Sequence, residues 1–200
     1  MTHFWPLALL CGLIPLQAVA QIKQQDMSAY ADTSSACSFL LPNWFTVKPS
    51  HQYRDVLEVW ESGEYSFKFS LIDRWKENYE YERYVGTLPQ DSSDAFLKNV
   101  KLNTFFSGAV NYHGLVQYAR LDSLKEFKTP AGLRVVATYR TVVSLDGTPI
   151  DNKKLGPLYF VDTSKLGRKQ IFKFDFSWFD MANAVYRDLA SAIALSVRPK

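Results

Sequence analysis

The sequence contains few of the residues on which metal sites and nucleophilic catalysis depend. Its 200 residues include two cysteines and three histidines, and no zinc, phosphate-loop, dinucleotide-binding, dithiol or serine-elbow motif occurs along it. Zinc centres and Ser-His-Asp triads draw their ligands and bases from these scarce residue types. The sequence therefore predicts no metal, no cofactor and no catalytic residue set, and it favours a protein that is not an enzyme.

Charged residues are missing from the first twenty positions. Residues 1–20 contain no Asp, Glu, Lys or Arg, and they end in Ala18-Val19-Ala20 after an apolar stretch. This ending supplies the small side chains that a signal peptidase accepts before the cleaved bond. The stretch is also shorter than the roughly 20 apolar residues of a permanent membrane helix. We predict a cleaved signal peptide, a mature chain that begins at Gln21, and a secreted or periplasmic location. The alternative is an N-terminal anchor that is not cut.

Disulfides and further membrane spans are also absent from the pattern. Cys37 is the only cysteine after the predicted cleavage, so the mature chain has no second cysteine to pair with it. No later stretch approaches 18 consecutive apolar residues, so no transmembrane segment is expected in the mature chain. About 180 residues suffice for one domain with a full hydrophobic core. We predict a loose, polar leader at 21–36 and a single domain at 37–200.

The net charge is small but unevenly distributed. Residues 21–110 carry 9 basic and 12 acidic residues, whereas residues 111–200 carry 14 and 8. There is no run of five basic residues and no nucleic-acid-binding motif. This pattern excludes nucleic acid as the expected partner and leaves a protein or a small molecule.

Alternation of apolar and polar residues predicts most of the secondary structure. Residues 64–72 and 169–177 alternate with a period of two, which is typical of strands. Asp94 precedes a helical stretch at 95–106 as an N-cap. A terminal helix carries an apolar face at spacings of three and four, formed by Met181, Val185, Leu189, Ala192, Ile193 and Ser196. Further strands are predicted at 38–41, 44–47, 55–60, 114–121, 124–128, 133–144 and 158–161, with turns at 42–43, 62–63, 129–132 and 146–147.

Short turns between consecutive strands indicate antiparallel pairing, because parallel neighbours need long crossovers. Amphipathic helices bury their apolar faces against a sheet. The sequence therefore predicts an α+β fold, with a central antiparallel sheet of six or seven strands and helices packed on it.

The order of these elements resembles the PsbP-like fold. The similarity is carried by residues 39–45 (FLLPNWF), 130–136 (PAGLRVV), 156–162 (GPLYFVD) and 170–174 (QIFKF), and by the final helix. It covers most of residues 38–197. The resemblance implies an αβα sandwich around a central antiparallel sheet. It also implies a role in binding or assembly, because members of that fold are mainly non-catalytic.

A segment dense in aromatic and charged residues, 73–84, is the candidate recognition surface. Its secondary structure does not follow from the pattern. Trp, Tyr and Arg dominate the energetics of protein recognition because they combine large contact areas with oriented hydrogen bonds. The alternative is that these aromatic rings belong to the core. The candidate binding residues are Arg74, Trp75, Tyr79, Tyr81 and Arg83.

Two other functions remain open. A small exported hydrolase would use Cys37 as a nucleophile, or it would use paired carboxylates for acid–base chemistry. A carrier of a small apolar ligand is suggested by the 14 Phe and 11 Tyr residues of the chain. The partners considered for the hydrolase are His51, His113 and Asp122 around Cys37, and the pairs Glu58/Glu61 and Glu80/Glu82.

Overall fold

The structure is a computed structural model, which describes residues 26–31, 37–49, 56–61, 64–73, 94–107, 118–144, 147–166, 170–177, 179 and 182–200. Its strands are β1 (Met27–Ala31), β2 (Cys37–Pro42), β3 (Phe45–Pro49), β4 (Val56–Glu61), β5 (Glu64–Asp73), β6 (Tyr118–Lys128), β7 (Arg134–Val143), β8 (Pro149–Lys154), β9 (Leu158–Asp162), β10 (Gln170–Asp175) and β11 (Arg198–Pro199). Its helices are α1 (Ala95–Phe106) and α2 (Ala184–Leu195), and a 3-10 turn covers Ser164–Leu166. Among these helices, none combines the length and the apolar character that crossing a bilayer requires.

The larger sheet has eight strands among the described residues, and all of its pairs are antiparallel. Its order is β3-β4-β5-β10-β9-β7-β6. Strand β6 occupies one edge of β7, and β9 and β8 pair with successive parts of the other edge. This confirms the predicted antiparallel sheet. Strand β8 was not predicted, because its sequence PIDNKK lacks an apolar alternation.

One face of this sheet is apolar across its width. Phe172 and Phe174 of β10 point into a large cluster that also receives Ala137 of β7 and Tyr159 of β9. Helix α2 and strand β2 cover this face, and they contribute the buried side chains Cys37, Phe39, Leu41, Leu189, Ala190 and Ile193. The predicted alternation in residues 169–177 is thereby confirmed for Phe172, Phe174 and Phe176, which all lie in this cluster.

The opposite face holds a smaller apolar cluster beneath α1. Phe96 and Val100 of α1 pack against Val136, Phe160 and Ile171 of the sheet. These sheet residues alternate with those of the first cluster along β7, β9 and β10, because successive side chains of a strand point to opposite faces. The described residues therefore place one helix on each face.

A small sheet of order β1-β2-β11 lies beside the apolar face. Residues 27–31 were predicted to belong to a loose leader, and that prediction is wrong for them, since they pair with β2 along its length. The strand was missed because it is a short edge strand in which three of the five residues are exposed. Pairing with β2 holds it, and Met27 and Tyr30 pack against the large apolar cluster.

Two predicted elements have different outlines in the structure. Residues 118–128 form one strand, and a register shift between Leu121 and Ser123 accounts for the predicted break. On α2 the buried residues are Leu189, Ala190, Ile193 and Ala194, so the apolar face is rotated from the predicted one. Ala192 is exposed. The small side chains at 190 and 194 let the helix approach the sheet closely.

The structure contains the predicted N-cap of α1 and glycines with positive φ at two of the predicted turns. Asp94 caps α1 by accepting hydrogen bonds from Phe96 N at 3.0 Å and Leu97 N at 3.2 Å. The turns at 129–132 and 146–147 both use a glycine with positive φ, Gly132 at 78° and Gly147 at 84°. A Cβ would strain either backbone conformation.

Candidate functional site

The predicted recognition residues lie outside the described residues. Arg74, Trp75, Tyr79, Tyr81 and Arg83 follow directly after β5, in the stretch 74–93 for which no conformation is described. Their role in recognition stays a prediction.

The structure does describe both attachment points of this stretch. Asp73 ends β5 and lies opposite Gln170 in β10, and Asp94 caps α1. Three strand steps separate β5 from β7, on the order of 15 Å at normal strand spacing. Side-chain contacts join Asp94 to Arg134 at the start of β7. Twenty residues can extend about 66 Å, so the connection is far longer than the distance across the sheet.

An ion-pair network fixes the second attachment point. The Arg134 guanidinium donates to Asp94 Oδ2 and, from Nε and Nη2, to Glu126 Oε2 at 2.9 Å and Oε1 at 2.7 Å. It also lies 5.3 Å from the centroid of the Phe96 ring. The hydrogen bond to Glu126 and the charge of Asp94 raise the pKa of Arg134, although burial acts against them. Burial alone raises the pKa of Asp94, but the bonds from Arg134, Leu97 and Phe96 hold it below its ordinary value. A two-point ion pair such as Arg134–Glu126 fixes the relative orientation of the two side chains as well as holding them together.

Near the opposite end of the sheet lies a buried polar group that the sequence analysis did not identify. Arg140 is only 1% exposed. Its Nη1 donates to the Gly156 carbonyl at 2.8 Å, and its Nη2 donates to Ser177 Oγ at 2.6 Å and Asp175 Oδ1 at 3.5 Å. Ser177 in turn donates to Asp175 Oδ1 from its backbone N at 3.0 Å and from its hydroxyl. We call Arg140, Asp175 and Ser177 the Arg140 cluster.

Further charged residues continue this polar surface across the sheet. Lys173 precedes Asp175 by two residues on β10, so the two share a face. Lys68 of β5 lies directly opposite Asp175, and Glu58 of β4 lies directly opposite Lys68. Opposite residues of paired strands point to the same face. Cations and carboxylates therefore alternate across β4, β5 and β10, beside the area that α1 covers.

The pKa values in this group reflect both burial and charge. Burial alone raises the pKa of Asp175, but the charges of Arg140 and Lys173 and the hydrogen bonds from Ser177 hold it below its ordinary value. Burial lowers the pKa of Lys173. Asp175 raises it, whereas Arg140 and Lys68 lower it further. Burial also lowers the pKa of Arg140, against the effect of Asp175. The surroundings therefore stabilise the charged form of the Asp175 carboxylate, whereas they disfavour the charged form of the Lys173 ammonium.

A signal for this cluster was present in the sequence. Arg140 stands inside the strand RVVATYRTVV, whose other residues are β-branched, small or aromatic apart from Arg134 at its start. Charged residues are almost never fully buried unless they are paired. An arginine inside a predicted central strand therefore predicts a buried carboxylate partner, although the sequence does not name it.

The residues considered for hydrolysis are not assembled among the described residues. Cys37 is 1% exposed and lies in the large apolar cluster with Phe39. Asp122 instead accepts a hydrogen bond from Thr141 Oγ1 at 2.7 Å on β7. No group of three or more His, Cys, Asp or Glu suited to a metal ion occurs in the part of the chain that the structure describes. The remaining candidates lie outside that part as whole residues or as side chains: His51, His113, Glu61, Glu80 and Glu82.

Comparison with known proteins identifies the fold. No protein-family model and no curated protein sequence matches the chain. Among solved structures, the chain is similar to the solution structure of cyanobacterial PsbP (CyanoP) from Synechocystis sp. PCC 6803. The identity is 16% and the TM-score is 0.54, over 93% of this chain and 99% of that one. The resemblance seen in the sequence motifs is therefore confirmed, and the chain has a PsbP-like fold.

Proposed function

We propose that this protein is an exported, non-catalytic binding or assembly module with the αβα layering of the PsbP-like fold. The observation that carries the proposal is the long connection between Asp73 and Asp94, which is attached at both ends to the sheet. A stretch of twenty residues is longer than most connections between neighbouring elements, and long connections often carry function. The Arg134 network fixes Asp94, the residue that follows this stretch.

The chemistry of residues 73–84 suits a partner surface. Trp75, Tyr79 and Tyr81 supply flat contact areas, and Arg74 and Arg83 supply forked hydrogen-bond donors. Aromatic side chains lose little conformational entropy when they are immobilised at an interface. The partner expected for such a mixture is a protein or a small molecule rather than a nucleic acid.

The test replaces Trp75 by Ala and measures both partner affinity and melting temperature. The partner is first captured from the exported fraction of the native source and then purified for titration. A hot-spot tryptophan contributes about 2 kcal/mol or more, so the affinity should fall roughly thirtyfold while the melting temperature barely changes. Trp44→Ala is the matched control, because Trp44 is an exposed tryptophan (45%) at the β2–β3 turn.

Two outcomes would contradict this assignment. A loss of about 3–5 kcal/mol in the free energy of unfolding of Trp75→Ala would place that ring in the core. Equal losses of affinity in Trp75→Ala and Trp44→Ala would move the binding surface away from 73–84.

Export is a separate part of the proposal and has its own measurement. We expect a secreting host to remove residues 1–20, because Ala18-Val19-Ala20 matches the specificity of a signal peptidase. Intact mass and N-terminal sequencing of the exported protein should show Gln21 as its first residue. An exported protein that retains Met1 would show that the segment is not cleaved.

A further inference from the structure

On one face of the sheet, Arg140 and Lys173 each have a nitrogen donor without an acceptor within the described part of the chain. Arg140 Nε is buried without a hydrogen-bond partner. Lys173 is half-buried on β10, and none of the hydrogen bonds or ion pairs among the described residues involves its ammonium. Buried polar groups in native proteins are nearly always hydrogen-bonded, so such exceptions call for an explanation.

The nearby carboxylates do not balance this positive charge. Asp175 Oδ1 already accepts from Arg140 Nη2 and from the backbone and hydroxyl of Ser177. Glu58 lies opposite Lys68 rather than opposite Lys173. Among the described side chains on this face there are three cations, Arg140, Lys173 and Lys68, and two carboxylates. The Lys173 ammonium has the charge of Asp175 nearby but no hydrogen-bond acceptor among these side chains, and a bound anion would supply one.

We propose that this face binds an oxyanion, the carboxylate or phosphate group of a small solute, through the ammonium of Lys173. Lys68 adds a second positive charge diagonally across β5, and the buried Ser70 lies directly opposite Lys173. Arg140 does not need to touch the ligand. It holds Asp175 by a hydrogen bond and an ion pair, and that leaves the Lys173 ammonium available for the anion.

The electrostatics of Lys173 agree with this geometry. Burial and the charges of Arg140 and Lys68 lower its pKa, and only Asp175 raises it. An anion beside the ammonium would favour its charged form, as opposite charges within about 4–6 Å do. Lys173, Lys68 and Ser70 all lie outside residues 73–84, so their role does not rest on the recognition segment proposed above.

The test titrates the full chain with inorganic phosphate and, separately, with acetate, and follows the melting temperature and the heat of binding. Ionic strength is kept constant with sodium chloride, because general screening also affects surface charges. We expect saturable binding of at least one of the two anions. Comparison of the phosphate and acetate titrations then identifies the preferred oxyanion.

The variants locate the site. Lys173→Gln should weaken binding at least tenfold, whereas Lys173→Arg, which keeps the charge, should retain most of it. Lys125→Gln is the matched control, since Lys125 lies over Tyr139 on the other face of the sheet and should bind like the unmodified protein. The proposal is overturned if neither anion saturates, or if Lys173→Gln binds as tightly as the control. If Lys173→Gln does not fold, Lys68→Gln serves in its place and should weaken binding at least threefold.

Discussion

The two faces of the large sheet are built from the same strands but carry different kinds of residue. On one face, Phe172 and Phe174 of β10 stack at a centroid distance of 6.3 Å within the large apolar cluster. On the other face, Asp175 of the same strand belongs to the Arg140 cluster, and Lys173 lies two residues before it. Replacing buried ions by apolar residues is often neutral or stabilising, because burying ions costs desolvation energy that pairing often fails to recover. The charged face is therefore not explained by stability alone.

Within the charged face the contrast is local. Helix α1 covers β6, β7 and β9 with Phe96 and Val100. The buried sheet residues beneath it are apolar except for Thr138, which accepts a hydrogen bond from Thr104 Oγ1 at 3.0 Å. The charges of Glu58, Lys68 and Lys173 belong to β4, β5 and β10, farther from that helix. The half of this face beneath α1 therefore completes the core, and the half on β4, β5 and β10 carries charged side chains. If the two halves also differ in their contribution to stability, substitutions in the charged half should have the effects given next.

The largest effect should follow from removing the buried cation. Arg140→Met leaves the Gly156 carbonyl and Ser177 Oγ without their Arg140 donors and removes the cation paired with Asp175. A carboxylate deprived of its buried partner is strongly destabilising. We expect the free energy of unfolding to fall by about 3 kcal/mol, at the low end for buried pairs, because the Asp175 side chain is 23% exposed. Urea unfolding followed by circular dichroism measures the loss.

A double variant separates the pair from the packing of the arginine stem. Arg140→Met combined with Asp175→Asn removes both charges, so it should be more stable than the sum of the two single changes predicts. If Arg140→Met costs less than about 1 kcal/mol, or if the two changes are additive, the Arg140 cluster is not an energetic unit and the comparison of the faces fails.

Much of the fold could be predicted because local patterns and tertiary contacts agree. The alternation around Phe174, the cap at Asp94 and the turn at Gly132 each depend on residues close in sequence, and the structure confirms them. Strands β1 and β11 could not be found in this way. Both are held by pairing with β2 and expose most of their side chains, so their composition carries no signal of burial.

The charged site was less predictable for a related reason. Lys173 and Asp175 alternate with phenylalanines, and a polar face on a strand normally indicates solvent. Arg140, the partner of Asp175, is 35 residues away in the sequence and meets it only through the strand order β10-β9-β7. Pattern analysis identifies which residues of a strand share a face, but it does not reveal which strands become neighbours.

The smallest expected effect is the pH dependence of the stability that the Asp175 carboxylate contributes to the charged face. The Asp175 pKa is below its ordinary value of 3.8 in the folded protein, because Arg140, Lys173 and the Ser177 bonds outweigh the effect of burial. A depressed carboxyl pKa contributes stability that is fully present above the unfolded pKa and is lost as pH falls through the folded pKa. Asp175→Asn should therefore be less stable than the unmodified protein by about 1.5 kcal/mol at pH 7, the low end for hydrogen bonds to charged groups. This difference should stay constant down to about pH 5 and narrow below about pH 4, where the unfolded carboxyl begins to bind protons.

Urea titrations at pH 7, 5, 4 and 3 measure this difference in the free energy of unfolding, with Asp188→Asn on the exposed surface of α2 as the control. A difference that persisted unchanged to pH 3 would mean that the Asp175 charge does not stabilise this face, and that its hydrogen bonds alone hold Arg140 in place.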